Sequence, residues 1–218
     1  KSMSFIKKAA AWLIDQALCL LVSFLAGVRP NAANGFEFSP EGKVYYANHG
    51  SHGDFLLIWI SLPGRWRMRT RPVAGSDYWL SSGIKRFIIQ NVFDALLIER
   101  GGSDPHAGLE QMSEALRKGE SLIIFPEGAR NVEDGKMLQP FKSGIYHLAR
   151  KNPDARFIPV WINNISRVLP KGAFLPVPLL CDVRIGKELA WQEGEARKSF
   201  LQHTYNELLS LSSFENEK

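Results

Sequence analysis

The stretch from Phe93 to Phe125 constrains what this chain can fold into more than any other. Phe93 to Ile98 is a short, mainly apolar run with strand character. Ser103-Asp104-Pro105 then starts a helix, with proline at the first helical position, where its missing N–H costs nothing. Leu109, Met112 and Leu116 recur at helical spacing, so the helix to Lys118 buries one face before Gly119 stops it. Residues 121–125 form a second apolar strand. A strand, a helix and a strand in that order make a unit of the parallel, right-handed kind. Parallel sheets need helices on both faces, because their strands carry apolar residues on both sides.

The same alternation continues outward. Lys43 to Ala47 reads as a strand, and Phe55 to Leu62 as a helix that ends at Pro63-Gly64. Arg65 to Arg71 alternates with period two, which predicts a strand carrying arginines on one face. Val73-Ala74 ends that strand, and Ser76 to Gln90 reads as one helix. A helix opens at Phe141 and runs to about Lys151, Phe157 to Ile162 is an apolar strand, and Leu179 to Ile185 reads as another. Phe36 to Phe38 reads as a short strand and residues 170–178 as a proline-rich loop. Residues 195–211 form an amphipathic helix through Phe200, Leu201, Tyr205, Leu208 and Leu209. The expected fold is a single α/β domain, a mixed and mostly parallel sheet flanked by helices.

With 218 residues, 45% of them hydrophobic and 22% charged, the chain supports one folded domain and is not disordered. A formal charge of +5 suits an anionic partner. Nucleic acid is set aside, because no helix-turn-helix, zinc-finger or RNA-binding aromatic signature is present. An anionic membrane face or a phosphorylated substrate fits. Cys19 and Cys181 are too few for a disulfide framework.

Residues 1–30 carry Lys1, Lys7 and Lys8, then an apolar run from Ala9 to Val28, then Arg29-Pro30. The run is long enough to span a bilayer, but Asp15 and Gln16 interrupt it, and a charge in lipid is expensive. An interfacial, partly inserted helix accommodates both facts. Residues 1–30 are therefore expected to be a membrane-associating helix, and 31–218 the folded α/β domain.

Chemistry concentrates at two places. Asn48-His49-Gly50-Ser51-His52-Gly53-Asp54 lies between a strand and a helix. Asp54 occupies the position of a helix N-cap or first-turn acid. Three readings stand: a polar turn whose aspartate caps a helix, a metal site of His49, His52 and Asp54, or an imidazole held by a carboxylate as a general base. The nucleophile elbow is ruled out by the lack of a glycine two positions before Ser51. The second place is Phe125-Pro126-Glu127-Gly128-Ala129-Arg130, which closes a buried strand at the end where α/β sheets bind ligands. Arg130 can grip a phosphate with its planar fork, and Glu127 can hold that arginine or a substrate hydroxyl.

Taken together, these stretches resemble the glycerolipid acyltransferases, in particular the 1-acylglycerol-3-phosphate O-acyltransferase family. His49 and Asp54 match that family's His-x4-Asp motif, and Phe125 to Arg130 its Phe-Pro-Glu-Gly-(Thr/Ser)-Arg motif. Ile98-Glu99-Arg100 is similar to the second motif and Ile158-Pro159-Val160 to the fourth. Ala129 departs from the usual hydroxyl residue, Glu99 from aspartate, and Gly75-Ser76-Asp77 stands where a lysine is often found. The resemblance implies a glycerol-3-phosphate acyltransferase-like fold and acyl transfer from a thioester to a lysophospholipid hydroxyl, above all 1-acylglycerol-3-phosphate to phosphatidic acid. It implies His49 as general base, oriented by Asp54, with no acyl-enzyme. Arg100, Glu127, Gly128 and Arg130 would bind the acceptor's phosphate and glycerol, and Pro159 would shape the acyl-donor side. No metal and no cofactor are expected, acyl-coenzyme A or acyl carrier protein being the co-substrate. A membrane with anionic lipids, at its cytoplasmic face, is the expected partner surface. The alternatives are another lysolipid acceptor, a transacylase, or a non-catalytic lipid-binding module. Lys142 and Ser143 either contact phosphate or simply open a helix.

Overall fold

A computed structural model describes residues 5–26, 29–32, 42–51, 53–99, 105–131, 137–163 and 182–212. Seven strands form one sheet: β1 Arg29–Ala32, β2 Lys43–Ala47, β3 Thr70–Gly75, β4 Leu96–Ile98, β5 Ser121–Ile124, β6 Arg156–Ile162 and β7 Asp182–Ile185. Their order across the sheet is β1-β7-β6-β2-β5-β3-β4. All neighbours are parallel except β6 and β7. The mixed, mostly parallel sheet expected from the sequence is present.

Strand periodicity sorts the core into two layers. Tyr45, Ala47, Ile123, Ile158 and Val160 face one side, where they meet α1 Phe5–Ala26, α2 Asp54–Ser61 and the turns around Ile89 and Phe93. Val44, Tyr46, Leu122, Ile124, Phe157 and Trp161 face the other, against α6 Pro105–Arg117, α7 Gly144–Lys151 and a C-terminal helix, α8 Arg197–Ser210. Successive strand residues point to opposite faces, so each fully buried strand serves both layers.

Several local readings change. Arg65 to Arg71 is not one strand, because Gly64–Arg67 forms a helical turn, α3, with the Trp66 and Arg67 amides donating to the Pro63 carbonyl. The strand begins only at Thr70, and the arginines diverge: Arg67 turns toward Cys19, Arg71 toward Asp94 and Glu120. Ser76 to Gln90 is not one helix either. It divides into α4 Ser76–Trp79, α5 Gly83–Phe87 and a π-helical turn over Ile88–Val92, with Ser82 capping α5 through the Lys85 amide. Asn31 and Ala32 belong to β1 and pair with β7. The predicted strand at 36–38 and the loop at 170–178 lie outside the described residues.

The registers of β3 set the feature of the sheet that matters most below. β3 pairs with β5 through Thr70, Arg71 and Pro72, and with β4 from Val73 to Gly75. Past Pro72, β3 follows β4, and the sheet parts between β3 and β5 at their C-terminal ends.

The N-terminal run forms a helix whose inward face carries a buried carboxylate, with Leu18 and Cys19 packed on the core beside it. Asp15, 7% exposed, accepts the indole N–H of Trp59 at 3.0 Å and the Cys19 thiol at 3.6 Å, with the Arg67 guanidinium 3.9 Å away. Burial, followed by the charge of Asp15, pushes the Cys19 thiol up to about 11. Asp15 therefore docks α1 on the domain. The outward face is apolar: Leu20 is 73% exposed and Leu13 60%, with Trp12 and Leu21 beside them. Among the described residues, no helix is long and apolar enough to cross a membrane.

Candidate active site

The parallel strands β2, β5, β3 and β4 end on one edge, and the two polar motifs sit there on adjacent strands. β2 delivers Asn48 and His49; β5, its hydrogen-bonded neighbour, delivers Phe125 to Arg130. Asn48 ties the edge together: its side-chain amide donates to the Ile162 carbonyl at 3.0 Å, and its Oδ1 accepts the Ile162 amide at 2.8 Å. An asparagine side chain thus stands in for a missing strand residue between β2 and β6.

His49 Nδ1 lies 2.9 Å from Asp54 Oδ2. The same oxygen accepts the backbone N–H groups of Gly50 at 2.7 Å and Ser51 at 2.9 Å, so the turn wraps around the carboxylate. Asp54 opens α2 as its first residue, with Gly53 at the cap, and is 0% exposed. It is the first-turn acid, where the helix dipole favours negative charge. Its other oxygen, Oδ1, has no hydrogen-bond partner among the described residues. With Nδ1 donating to Asp54, Nε2 is the ring's open acceptor. Phe125 stacks on the ring at 4.3 Å between centroids, 21° from parallel, and fixes its plane.

Glu127 holds the backbone of His49. It is 1% exposed; Oε1 accepts the His49 amide at 2.7 Å and Oε2 the Gln139 amide at 2.8 Å. Burial raises the pKa of its carboxyl, opposed by those two backbone donors. The His49 carbonyl accepts the Asn131 amide at 2.6 Å, so the histidine is held on both sides by the loop after β5. Gly128 has φ of +74°, a left-handed conformation that side chains resist. A Cβ there would lie 3.1 Å from Cγ of Lys142.

A cavity of about 240 Å³ opens beside the imidazole, in the parting between β3 and β5. His49, Phe125, Pro126, Gly128 and Lys142 border its polar end. Val73, Ala74, Ile98, Met112, Ile145 and Leu148 make the rest an apolar pocket between the two helical layers.

The sequence-predicted residues are distributed as follows. His49 and Asp54 meet, and Glu127 and Gly128 join them through backbone and cavity. Arg130 is exposed on the turn and does not border the cavity. Pro159 is buried in the middle of β6 opposite Tyr46, with its carbonyl accepting the Gly186 amide at 2.9 Å, away from the cavity. Arg100 and His52 lie outside the described residues. No group of three or more His, Cys, Asp or Glu among the described residues could hold a metal ion. Sequence reasoning gave no role to Asn48, Phe125 or Gln139. The first two flank the motifs and could have been noticed by adjacency; Gln139 carries no local signal, since it contributes only a backbone amide.

Comparison with known proteins points one way. A family model described as Acyltransferase matches residues 33–163, more than half of the chain. A 1-acyl-sn-glycerol-3-phosphate acyltransferase of Cocos nucifera is 34% identical over 125 residues, which are 55% of this chain and 37% of that protein. A chloroplastic 1-acyl-sn-glycerol-3-phosphate acyltransferase, BAT2, of Brassica napus is 28% identical over 137 residues, 60% of this chain and 35% of that one. The chain thus spans little more than a third of the length of these relatives. The crystal structure of the 1-acyl-sn-glycerophosphate acyltransferase PlsC from Thermotoga maritima is similar with a TM-score of 0.71 at 17% identity, covering 97% of this chain and 82% of that one, which is a likeness of fold.

Proposed function

For a chain that belongs to the acyltransferase family, we propose that His49 is a general base transferring a fatty acyl group from a thioester to the free hydroxyl of a lysophospholipid. The acceptor is 1-acylglycerol-3-phosphate and the product phosphatidic acid, the substrate that the names of the curated relatives carry. The observation that supports this reading is a buried imidazole–carboxylate pair, with its second nitrogen open, at the mouth of an apolar cavity.

The chemistry balances without an acyl-enzyme. Nε2 of His49 takes the proton of the acceptor hydroxyl as that oxygen attacks the thioester carbonyl, forming the C–O bond. The tetrahedral intermediate collapses, the C–S bond breaks, and the departing thiolate takes the proton back from the imidazolium. Asp54 keeps the proton of Nδ1 in place and stabilises the transient cation. The co-substrate is the thioester of coenzyme A or of acyl carrier protein. We assign an acyl chain to the apolar pocket between Ala74, Ile98, Met112 and Leu148. Arg130, exposed on its turn, and Arg100 are assigned to the acceptor's phosphate on the strength of the resemblance.

Both lipids reside in a bilayer, so the site must meet an interface. The outward face of α1 supplies apolar area for an anionic surface, and exposed Met68 and Ile84, with Arg65, Arg69, Lys85 and Arg86 close to them in sequence, are further apolar and basic groups for it. Asp15 turned into the domain is what leaves that face outward.

The test is His49→Ala, assayed with labelled acyl-coenzyme A and a panel of lysolipids. Turnover should fall by about 100- to 10,000-fold, the range of general-base catalysis, with the fold intact. A folded variant that turns over at the wild-type rate would overturn the assignment.

A further inference from the structure

Lys142 stands out once the cavity is inspected for charge. It is the only cation among the described residues that border it. Its backbone amide donates to the Pro126 carbonyl at 2.8 Å, which anchors the lysine to the turn that also carries Glu127. Its stem runs across Gly128, where a Cβ would lie 3.1 Å from Cγ and 3.6 Å from Cε. The absent side chain at 128 is thus the track along which the lysine reaches the cavity. None of the described carboxylates forms an ion pair with it. A positive charge without an ion-pair partner among the described residues, at the polar end of an otherwise apolar pocket, calls for an anion from the substrate.

We propose that Lys142, seated by Gly128, binds a substrate phosphate at the mouth of the cavity. The proposal rests on the general-base reading of His49, which borders the same 240 Å³ space. In a glycerol phosphate acceptor, the free hydroxyl and the phosphate ester sit on adjacent carbons. A base and a cation facing one small cavity can therefore engage both at once. Phosphate is also present on coenzyme A and on the phosphopantetheine arm of acyl carrier protein, and the experiment must separate these sources from the acceptor.

Lys142→Met and Lys142→Arg are compared with the wild type in two readouts. The first is direct binding of sn-glycerol 3-phosphate by calorimetry, which needs no turnover. The second is kcat and KM for lysophosphatidate and for neutral monoacylglycerol, each with acyl-coenzyme A and with a phosphate-free acyl thioester. A charge-assisted hydrogen bond supports a loss of roughly 10- to 100-fold in sn-glycerol 3-phosphate affinity and in KM for lysophosphatidate in Lys142→Met. Lys142→Arg should recover most of it, and the neutral acceptor should be unaffected. A KM loss that follows acyl-coenzyme A instead assigns the lysine to the donor's phosphate and supports the shared chemistry. Unchanged binding and unchanged KM for every substrate, or a fall in kcat on all acceptors alike, overturns the proposal. A wild-type protein that binds sn-glycerol 3-phosphate through Lys142 but acylates nothing refutes the acyl-transfer reading and leaves the phosphate site standing.

Discussion

Replacing Glu127 by glutamine separates two roles for one residue. The resemblance assigns Glu127 to the substrate, whereas in the fold its two oxygens accept the His49 and Gln139 amides at 2.7 and 2.8 Å. Glutamine keeps one acceptor and turns an N–H2 toward the other backbone donor. A bond to a charged acceptor contributes about 1.5–3 kcal/mol, and a buried donor left unsatisfied costs about 1–3 kcal/mol. These overlap, so Glu127→Gln should destabilise the fold by ~2–4 kcal/mol, a large share of the ~5–15 kcal/mol of an ordinary domain. The effect also has a pH signature. Burial raises the carboxyl's pKa above its usual 4.5, so across the window above 4.5 the native state holds a proton that the unfolded chain has lost. Stability from this group is then fully present below 4.5 and is lost as pH rises through the raised value. The wild-type margin over the glutamine variant should shrink over the same window. Urea unfolding followed by tryptophan fluorescence, repeated from pH 4.5 to 7, measures both quantities. The kinetic expectation is a fall in kcat, because the His49 backbone loses its tether, with acceptor KM nearly unchanged. A variant as stable as the wild type, with only acceptor KM raised, would refute the tethering role and return Glu127 to the substrate.

Three other outcomes follow from the packing. Ala74→Phe should fill the pocket and shorten the preferred acyl chain; each methylene no longer buried forfeits about 0.8 kcal/mol, roughly fourfold in KM, and an unchanged chain-length profile would place the chain elsewhere. Leu13→Glu with Leu20→Glu should weaken cosedimentation with anionic vesicles and leave hydrogen exchange in α1 unchanged. Asp15→Leu, which strands the Trp59 indole N–H, should raise that exchange, and α1 exchange equal to wild type in Asp15→Leu would show that the clip does not hold the helix.

How much was legible in the chain differs by range. Helices α6 and α8, the strands β5 and β6, and the placement of both polar motifs at strand ends follow from periodicity, a proline at the helix start and a stopping glycine, all of which act within a few residues. So does the meeting of His49 with Asp54, because five residues around a glycine turn leave their side chains few other places to go. The tertiary structure decided everything that depends on a neighbour distant in sequence. Asp15 looked like a flaw in a membrane span until Trp59 and Arg67, some fifty residues away, received it. Arg65 to Arg71 alternated like a strand, yet charges have no buried face to defend, and the Pro63 carbonyl took the chain into a helical turn instead. Glu127 looked ready for substrate, but a carboxylate buried beside two unpaired backbone amides binds them first. The parting of β3 from β5 carried no local sign, because it depends on how far β5 and β4 each run alongside β3. Local spacing sets which elements form; the satisfaction of buried polar groups, which only packing creates, sets what those elements hold between them.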